Sequence, residues 1–401
     1  MLQLHDKAYL VTQSTVIVKA VSNPLGRFDL AVVGAGILGL ASAWAAAQRG
    51  LRVIVIDRDS QANGASVRNF GFITVTGQAS GAMWQRARRT RDIWLEVAAG
   101  AHIPIIHSGV WVTARRPESL RVLEAFLATD MAEDCRLLTA GEARRRCPQL
   151  LAPQLAGVLE STLELRVESV QAIPRLAAWL AEAHGVTFLR NTAVHGIDIP
   201  EIRTSRGPLE ADHAVVCPGD DFTGLYAPYL AGIPLTRCKL QMLRLADPGF
   251  KLPGSIMSDL GLARYLGFAD LAAAVPLKAR LAAEQPDHLK HGIHLIVVQS
   301  ADGSLIVGDS HDYAATPDPF SNEHIDALIL EEFRDSVGFE PPRTLQRWSG
   351  TYASAPDRPV LIGTPEPAVR IAIVTCGAGA STAFAIGEEL VAGLLDVPAT
   401  A

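Results

Sequence analysis

FDLAVVGAGILGLASAWAAAQRGLRVIVIDRD (residues 28–59) reads as strand, tight glycine turn, helix, strand. The strand Leu30 to Val33 is apolar throughout, as a strand buried on both faces of a parallel sheet must be. Gly34, Gly36 and Gly39 follow it as GxGxxG. The first glycine permits the turn, the second lets a pyrophosphate approach the backbone, and the third allows the helix to pack closely on the strand. The helix start offers free N–H groups and partial positive charge to a diphosphate. Asp57 ends the second strand, Val53 to Ile56, about 20 residues on, where an acid accepts from a ribose diol. The unit predicts an adenine dinucleotide site, and by itself leaves FAD and NAD undistinguished.

The composition fits this reading. A chain of 401 residues with 49% hydrophobic and 19% charged residues can bury a sizeable core, spread over two or three domains. A net charge of -6 gives no broad cationic field for nucleic acid or anionic membrane. Five cysteines (Cys135, Cys147, Cys217, Cys238, Cys376), with no CxxC pair, indicate neither a disulfide framework nor a metal site, and a reducing cytoplasm is expected. No stretch has the apolar length of a membrane-spanning helix, and the N-terminus lacks the apolar core of a signal peptide. Residues 1–27 read as an extension.

Downstream, the organisation is interleaved. Residues 81–99, 117–133 and Val170 to His184 have helical patterns, VTFLRNTAVHGIDI resembles two short strands, and HAVVCPGDD runs from an apolar strand into a glycine turn that belongs with the nucleotide sheet. LTRCKLQMLRLAD and GIHLIVVQSADGSLIVGDSHDY alternate as strands of an antiparallel sheet, so a second domain is inserted between pieces of the first. Near the end, IAIVTCGAGASTAFAIGEELVAGLL repeats the opening pattern of strand, glycine turn and small-residue helix. A second positive helix end would suit a flavin, whose reduced ring carries negative charge; the plainer reading is an ordinary strand-to-helix turn.

Together, VVGAGILGL with VIDRD, GASVRNFG, VVCPGDDF, GDSHDY and CGAGASTAFAIGEEL resemble the D-amino-acid oxidase superfamily of flavoenzymes, over about residues 28–396. GASVRNFG with GSLIVGDSHDY is most similar to a bacterial branch, close to glycine oxidase, associated with degradation of aminophosphonates such as 2-aminoethylphosphonate and its N-methyl derivative. The resemblance implies an α/β fold. Its FAD-binding, Rossmann-like domain, a doubly wound parallel sheet, would come from residues 28–107, 150–235 and 343–398. An α+β substrate domain with a mainly antiparallel sheet would come from 108–149 and 236–342. It implies oxidation of an amine C–N bond by hydride transfer to FAD, the imine then hydrolysing to an aldehyde or oxo-acid, with oxygen or a quinone-type acceptor taking the electrons. A glycine, sarcosine or D-amino-acid oxidase without phosphonate preference is the alternative activity. A flavin-binding protein without turnover, or an NAD-binding module, is the alternative of another kind.

By the same resemblance, cofactor contacts fall on Gly34, Gly36, Ile37, Leu38, Gly39, Asp57, Arg58, Ser66, Asn69, Gly71, Val194, Gly219, Gly377, Gly379, Ser381 and Thr382. Arg68 divides between an anion contact and a surface charge. Substrate contacts fall on Arg264 and Tyr265, on His311 and Tyr313, which alternate along one face of an extended segment beside Asp309, and on Tyr352. Arg264 suits a carboxylate or phosphonate because a guanidinium donates two parallel hydrogen bonds. Trp348 and Tyr352 divide between pocket lining and packing. Asp357, Arg358 and Pro359 read as a structural turn, and Lys239 as a solvated strand lysine. Cys376 stands where relatives carry other residues, and a covalent flavin link through it is the less favoured reading.

Overall fold

The computed structural model describes residues 26–150 and 152–395. The call of an N-terminal extension falls almost wholly outside them. Arg27–Val33 is the centre of an eight-stranded sheet in the order Val360–Glu366, Val369–Val374, Gly207–Val216, Arg27–Val33, Val53–Ile56, Thr187–Leu189. Its strands run parallel except for the edge strand Val360–Glu366, and a ribbon of Val194–Asp198 and Glu201–Thr204 continues antiparallel from Gly207–Val216.

Helix Ile37–Ala47 lies between this sheet and other helices, which is why every residue in it but Ala47 is buried and why most are small. The Gly34 backbone has a φ of +102°, and a Cβ at Gly39 would lie 1.8 Å from the Gly34 carbonyl oxygen, so only glycine at both positions lets the helix start where it does. Helices Ala82–Gly100, Ser169–His184 and Gly379–Leu395 complete the layer. Phe384 sits there with the edges of Trp44 and Trp94 at centroid distances of 5.7 and 5.3 Å. On the other face Ile54, Ile56, Ile202, Ala214 and Ile371 form a separate core.

The second sheet has ten strands and is mainly antiparallel, in the order Asp312–Ala314, Thr236–Leu245, Leu305–Gly308, Ile296–Gln299, Ser255–Met257, His107–Ala114, Gly157–Arg166, Phe72–Ile73. Thr344–Ser354 pairs along Thr236–Leu245, and Cys135–Thr139 pairs with Gly157–Arg166. Gly157–Arg166 and Thr344–Ser354 lie in segments that the sequence division gave to the nucleotide domain, yet both belong to this sheet. Their ladders explain it: each finds its long pairing partner here, and Val158 and Leu159 are buried in the same core as Val112 and Leu138. Helices Pro117–Leu127, Ala274–Glu284 and Glu323–Val337 pack Leu123, Leu277, Leu281, Ile329 and Phe333 into that core.

A charged cluster is enclosed in this second domain. Asp259, fully buried, accepts from Arg116 Nη1 at 2.9 and 3.0 Å, from Ser119 Oγ at 2.8 Å and from the Arg115 backbone at 3.2 Å. Arg115 also donates to both oxygens of buried Glu332, at 2.8 and 2.9 Å, and Gln285 and Ser336 saturate that carboxylate. Asp259 opens the short turn Asp259–Ala263, which runs directly into Arg264 and Tyr265. Asp259→Ala leaves two buried guanidinium groups short of a carboxylate, and urea unfolding is expected to show a loss of about 3–5 kcal/mol in stability.

Candidate active site

Between the two sheets lies a cavity of about 1400 Å³. At its nucleotide side the wall is Gly34, Gly36, Ile37, Leu38 and Gly39, with Asp57, Arg58, Val194 and Gly219 nearby. Gly36 is extended and has no side chain to block the helix start, and the Ile37 N–H donates to Ser66 Oγ at 2.9 Å. The GASVRNFG loop is therefore drawn over the helix N-terminus. Asp57 takes the Ala35 N–H at 2.6 Å on one oxygen and the Asp59 N–H at 2.8 Å on the other, which fixes the carboxylate at the strand end with lone pairs to spare. Arg58 is paired with Asp221 at 2.9 Å.

Not every residue singled out in the sequence reaches the cavity in the same way. Asn69 lines it, but its side chain is engaged by Ala65 O, the Gly71 N–H and Ser169 Oγ at 2.6–2.8 Å, so it shapes the loop. Gly71 sits at the turn into Phe72–Ile73, packed against Val167, and is off the main cavity wall. Thr382 is fully buried and donates to Ala378 O at 2.8 Å, just before the start of its own helix. Ser381 lines the cavity and accepts from the Thr74 N–H at 2.9 Å. Arg68 also lines the cavity and donates to Asn63 Oδ1 at 3.1 Å.

Gly377 and Gly379 bring the start of helix Gly379–Leu395 to the same cavity. The Tyr352 ring lies against Gly377, with its Cζ 3.2 Å from where a Cβ would stand. Trp348 donates to the Arg68 carbonyl at 3.2 Å and packs on the core beside it. Cys376 is open to the cavity, whose enclosing walls desolvate the thiol and push it up to about 11, the form least suited to attack. Lys239 differs from the solvated lysine expected of it: it is 6% exposed, and its Nζ donates to Asp318 O, Asp318 Oδ1 and Phe320 O at 2.9–3.0 Å. The loop at 318–320 folds back over the strand and supplies three acceptors there.

Where the second sheet walls the cavity, Arg264, Tyr265, His311, Tyr313 and Tyr352 come together. Arg264 Nη2 donates to the Tyr313 hydroxyl at 2.7 Å. His294 and Asp309, neither of them a predicted contact, join this group. The antiparallel pairing of Ile296–Gln299 with Leu305–Gly308 sets His294, just before one strand, against Asp309 and His311, just after the other. The three side chains are buried, with ligand atoms all within 4.8 Å of one another. His294 Nδ1 is 3.6 Å from Asp309 Oδ1, and His311 Nε2 is 3.8 Å from Asp309 Oδ2, both beyond hydrogen-bond length. Among the described residues, His294 Nδ1 and Asp309 Oδ1 have no hydrogen-bond partner. Burial raises Asp309 to about 7, against the opposing pull of Arg264. Burial and the Arg264 charge hold both imidazoles well below their ordinary range, so they are neutral. The spacing is one that a divalent cation can bridge, but the guanidinium acting on the same cluster opposes a second positive charge.

The walls fit FAD: a bare helix N-terminus for the diphosphate, an acid for the ribose, and a second glycine-opened helix start where the cavity meets the tyrosines. The family model described as FAD dependent oxidoreductase (DAO) matches residues 29–392. Monomeric sarcosine oxidase from Bacillus sp. (strain B-0618) is 27% identical over 217 residues, 52% of this chain and 55% of that protein. Glycine oxidase from Geobacillus kaustophilus (strain HTA426) is 28% identical over 210 residues, 48% of this chain and 55% of that protein. The chain thus spans about half the length of the curated relatives it matches. The solved glycine oxidase from Bacillus cereus ATCC 14579 superposes with a TM-score of 0.74 at 16% identity, over 92% of this chain and 95% of that one, a likeness of fold.

Asp57→Ala removes the acceptor at the strand end and unties the Ala35 N–H of the glycine turn. Its expected effect is about tenfold weaker FAD retention, the worth of a hydrogen bond to a charged group, read from flavin released on dilution. Arg68→Ala separates that residue's two readings: loss of bound flavin marks a cofactor contact, and a rise in substrate KM alone marks an anion contact.

Proposed function

The chain belongs to the DAO family of FAD-dependent oxidoreductases, and from that premise we propose that it oxidises the C–N bond of a small amine carrying an acidic group. Its known relatives include proteins named sarcosine oxidase and glycine oxidase. One observation carries the choice of substrate class: Arg264 stands in the cavity wall with the phenols of Tyr265, Tyr313 and Tyr352 around it. Tyr313 accepts from Arg264, so its own hydrogen is left for another acceptor, Cys238 or a substrate.

When bound, FAD supplies the two-electron acceptor that C–N oxidation requires. The chain's own residues bind and orient. Arg264 pairs the acidic group of the substrate by two hydrogen bonds, and the phenols add single ones. Burial keeps Tyr265, Tyr313 and Tyr352 above the usual phenol range, so they stay protonated as donors. The two helix starts at Gly36 and Gly379 would hold the cofactor's negative charge.

The finer reading is an aminophosphonate, such as N-methyl-2-aminoethylphosphonate or 2-aminoethylphosphonate. A phosphonate offers three acceptor oxygens and up to two negative charges, against two oxygens and one charge for a carboxylate. One guanidinium with three phenols matches the larger demand. Anaerobic bleaching of the flavin by a panel of these two compounds with glycine, sarcosine and D-alanine tests both levels. Bleaching by any amine of the panel supports the oxidation, and faster bleaching by the phosphonates supports the finer reading; no bleaching by a phosphonate removes it. Arg264→Ala is expected to weaken substrate binding by about 100-fold or more, as loss of one partner of a buried charge pair does, with bound flavin unchanged.

A further inference from the structure

We propose that Asp309 is the catalytic base that takes the proton from the substrate's ammonium group before oxidation. The inference rests on the amine-oxidation reading of the same cavity and adds a proton-accepting step to it.

The geometry supplies the argument. Asp309 lines the cavity beside Arg264, is 5% exposed, and has one oxygen, Oδ1, with no hydrogen-bond partner among the described residues. Oδ1 is itself closed off beside His294 Nδ1, and a buried carboxylate oxygen left unpaired makes the ionised form costly, so Asp309 is poised to take a proton from a group arriving in the cavity. A substrate that offers its acidic group to Arg264 brings an ammonium with it, and Asp309 is the one carboxylate in this group of side chains.

The imidazoles decide what Asp309 can do with a proton. Gly292 O lies 2.8 Å from His311 Nδ1 and can only accept, so that nitrogen carries the hydrogen. His311 Nε2, the atom facing Asp309, then carries a lone pair. It cannot donate to an ionised carboxylate, but it can receive the hydrogen of a protonated one as the 3.8 Å gap closes. His294 is likewise neutral and contributes no positive charge to hold Asp309 ionised. Arg264 does that, helped by the backbone N–H of Asp309 itself, and an anionic group docked on Arg264 offsets its charge. Substrate binding therefore makes Asp309 more basic at the moment the ammonium reaches it. In the transfer, an N–H bond of the ammonium breaks and an O–H bond forms on Asp309. The electron pair stays on nitrogen, giving the neutral amine that C–N oxidation requires.

The other ionisable groups around Asp309 do not titrate in the same range. Burial holds His294 and His311 below it, and burial raises Tyr265, Tyr313 and Tyr352 above the usual phenol range and the Cys238 thiol to about 11. Arg264 stays charged. One ionisation near neutrality is thus expected in the free enzyme, and activity is present above it and lost below, because protonated Asp309 has no room for another proton.

The test is the pH dependence of anaerobic flavin reduction by the best amine of the panel, with wild type, Asp309→Asn and Asp309→Glu. For wild type, the second-order rate constant should rise through an ionisation near 7. In D309N that limb should vanish and the rate should climb only toward the amine's own ionisation, about pH 10. At pH 7 the rate should fall about 100-fold. D309E should recover part of it. Binding of the substrate's acidic group without its amine, methylphosphonate or acetate read by flavin spectral shift, should change less than threefold in D309N.

An unchanged limb in D309N overturns the assignment. So does a wild-type rate abolished by EDTA and restored by zinc, which would make the cluster a metal site. Should D309N not retain flavin, His294→Gln gives the second measurement: an amide N–H beside Oδ1 should move the limb to lower pH, and an unmoved limb counts against the assignment. If no amine bleaches the wild-type flavin at any pH, the oxidation reading falls and takes this one with it; bleaching with an unmoved limb removes only the base.

Discussion

A methyl group on residue 39 would stand 1.8 Å from the Gly34 carbonyl oxygen, and one on residue 387 would stand 2.8 Å from the backbone of Ala41. These two contacts set the distance between the first helix, the first strand and the last helix. Because no side chain intervenes, Ile37–Ala47 lies directly on the sheet and Gly379–Leu395 lies directly on Ile37–Ala47. Both helices then begin at the same cavity, one at Gly36 and the other at Gly379. Two partial positive charges directed at one cavity are a strong bias toward an extended anionic cofactor. The bias follows from backbone packing, before any charged side chain is considered.

Side-chain charge is used at the other wall, and there its placement depends on a second buried arrangement. Asp259, held by Arg115, Arg116 and Ser119, fixes the first residue of the turn that ends at Arg264. A guanidinium on a loop would ordinarily lose much of its precision to backbone motion. Here the loop begins at a carboxylate that cannot move without exposing two buried cations. The cluster faces the interior of the second domain, yet it fixes the start of the short turn that carries Arg264 to the cavity wall.

How far the sequence carried this depends on whether a feature is local. Gly34, Gly36, Gly39 and Asp57 sit within one βαβ unit of fixed spacing, so their cavity positions could be read from residues 28–59 alone. Arg264, Tyr265, His311 and Tyr313 were reachable only through family resemblance, since nothing in a lone LARYLGF or GDSHDY states which way it faces. His294 was missed because its partnership with Asp309 is made by a strand pairing, Ile296 opposite Gly308, that closes only in the folded hairpin. The signal was present in the alternation of HLIVVQS and SLIVGDS as two strands, with a histidine and an aspartate at their open ends. Lys239 was misjudged for a related reason: its three acceptors come from residues 318–320, about 80 positions away. Gly157–Arg166 and Thr344–Ser354 could not be assigned to a sheet from alternation alone, because alternation gives a strand its faces but not its neighbours.

The same division explains why this fold persists at 16% identity to a solved relative. What must be kept is a handful of glycines and a pattern of burial, because steric contact at Gly39 leaves no substitute. The residues around Arg264 and Asp309 answer to a different constraint. They hang from strand ends and short turns, where a changed side chain alters charge and shape without disturbing the ladders behind it. An arginine, a carboxylate with an unsatisfied oxygen and two neutral imidazoles form a local charge arrangement that the glycine framework tolerates but does not require. Its presence is therefore better explained by the chemistry of what enters the cavity than by the needs of the fold.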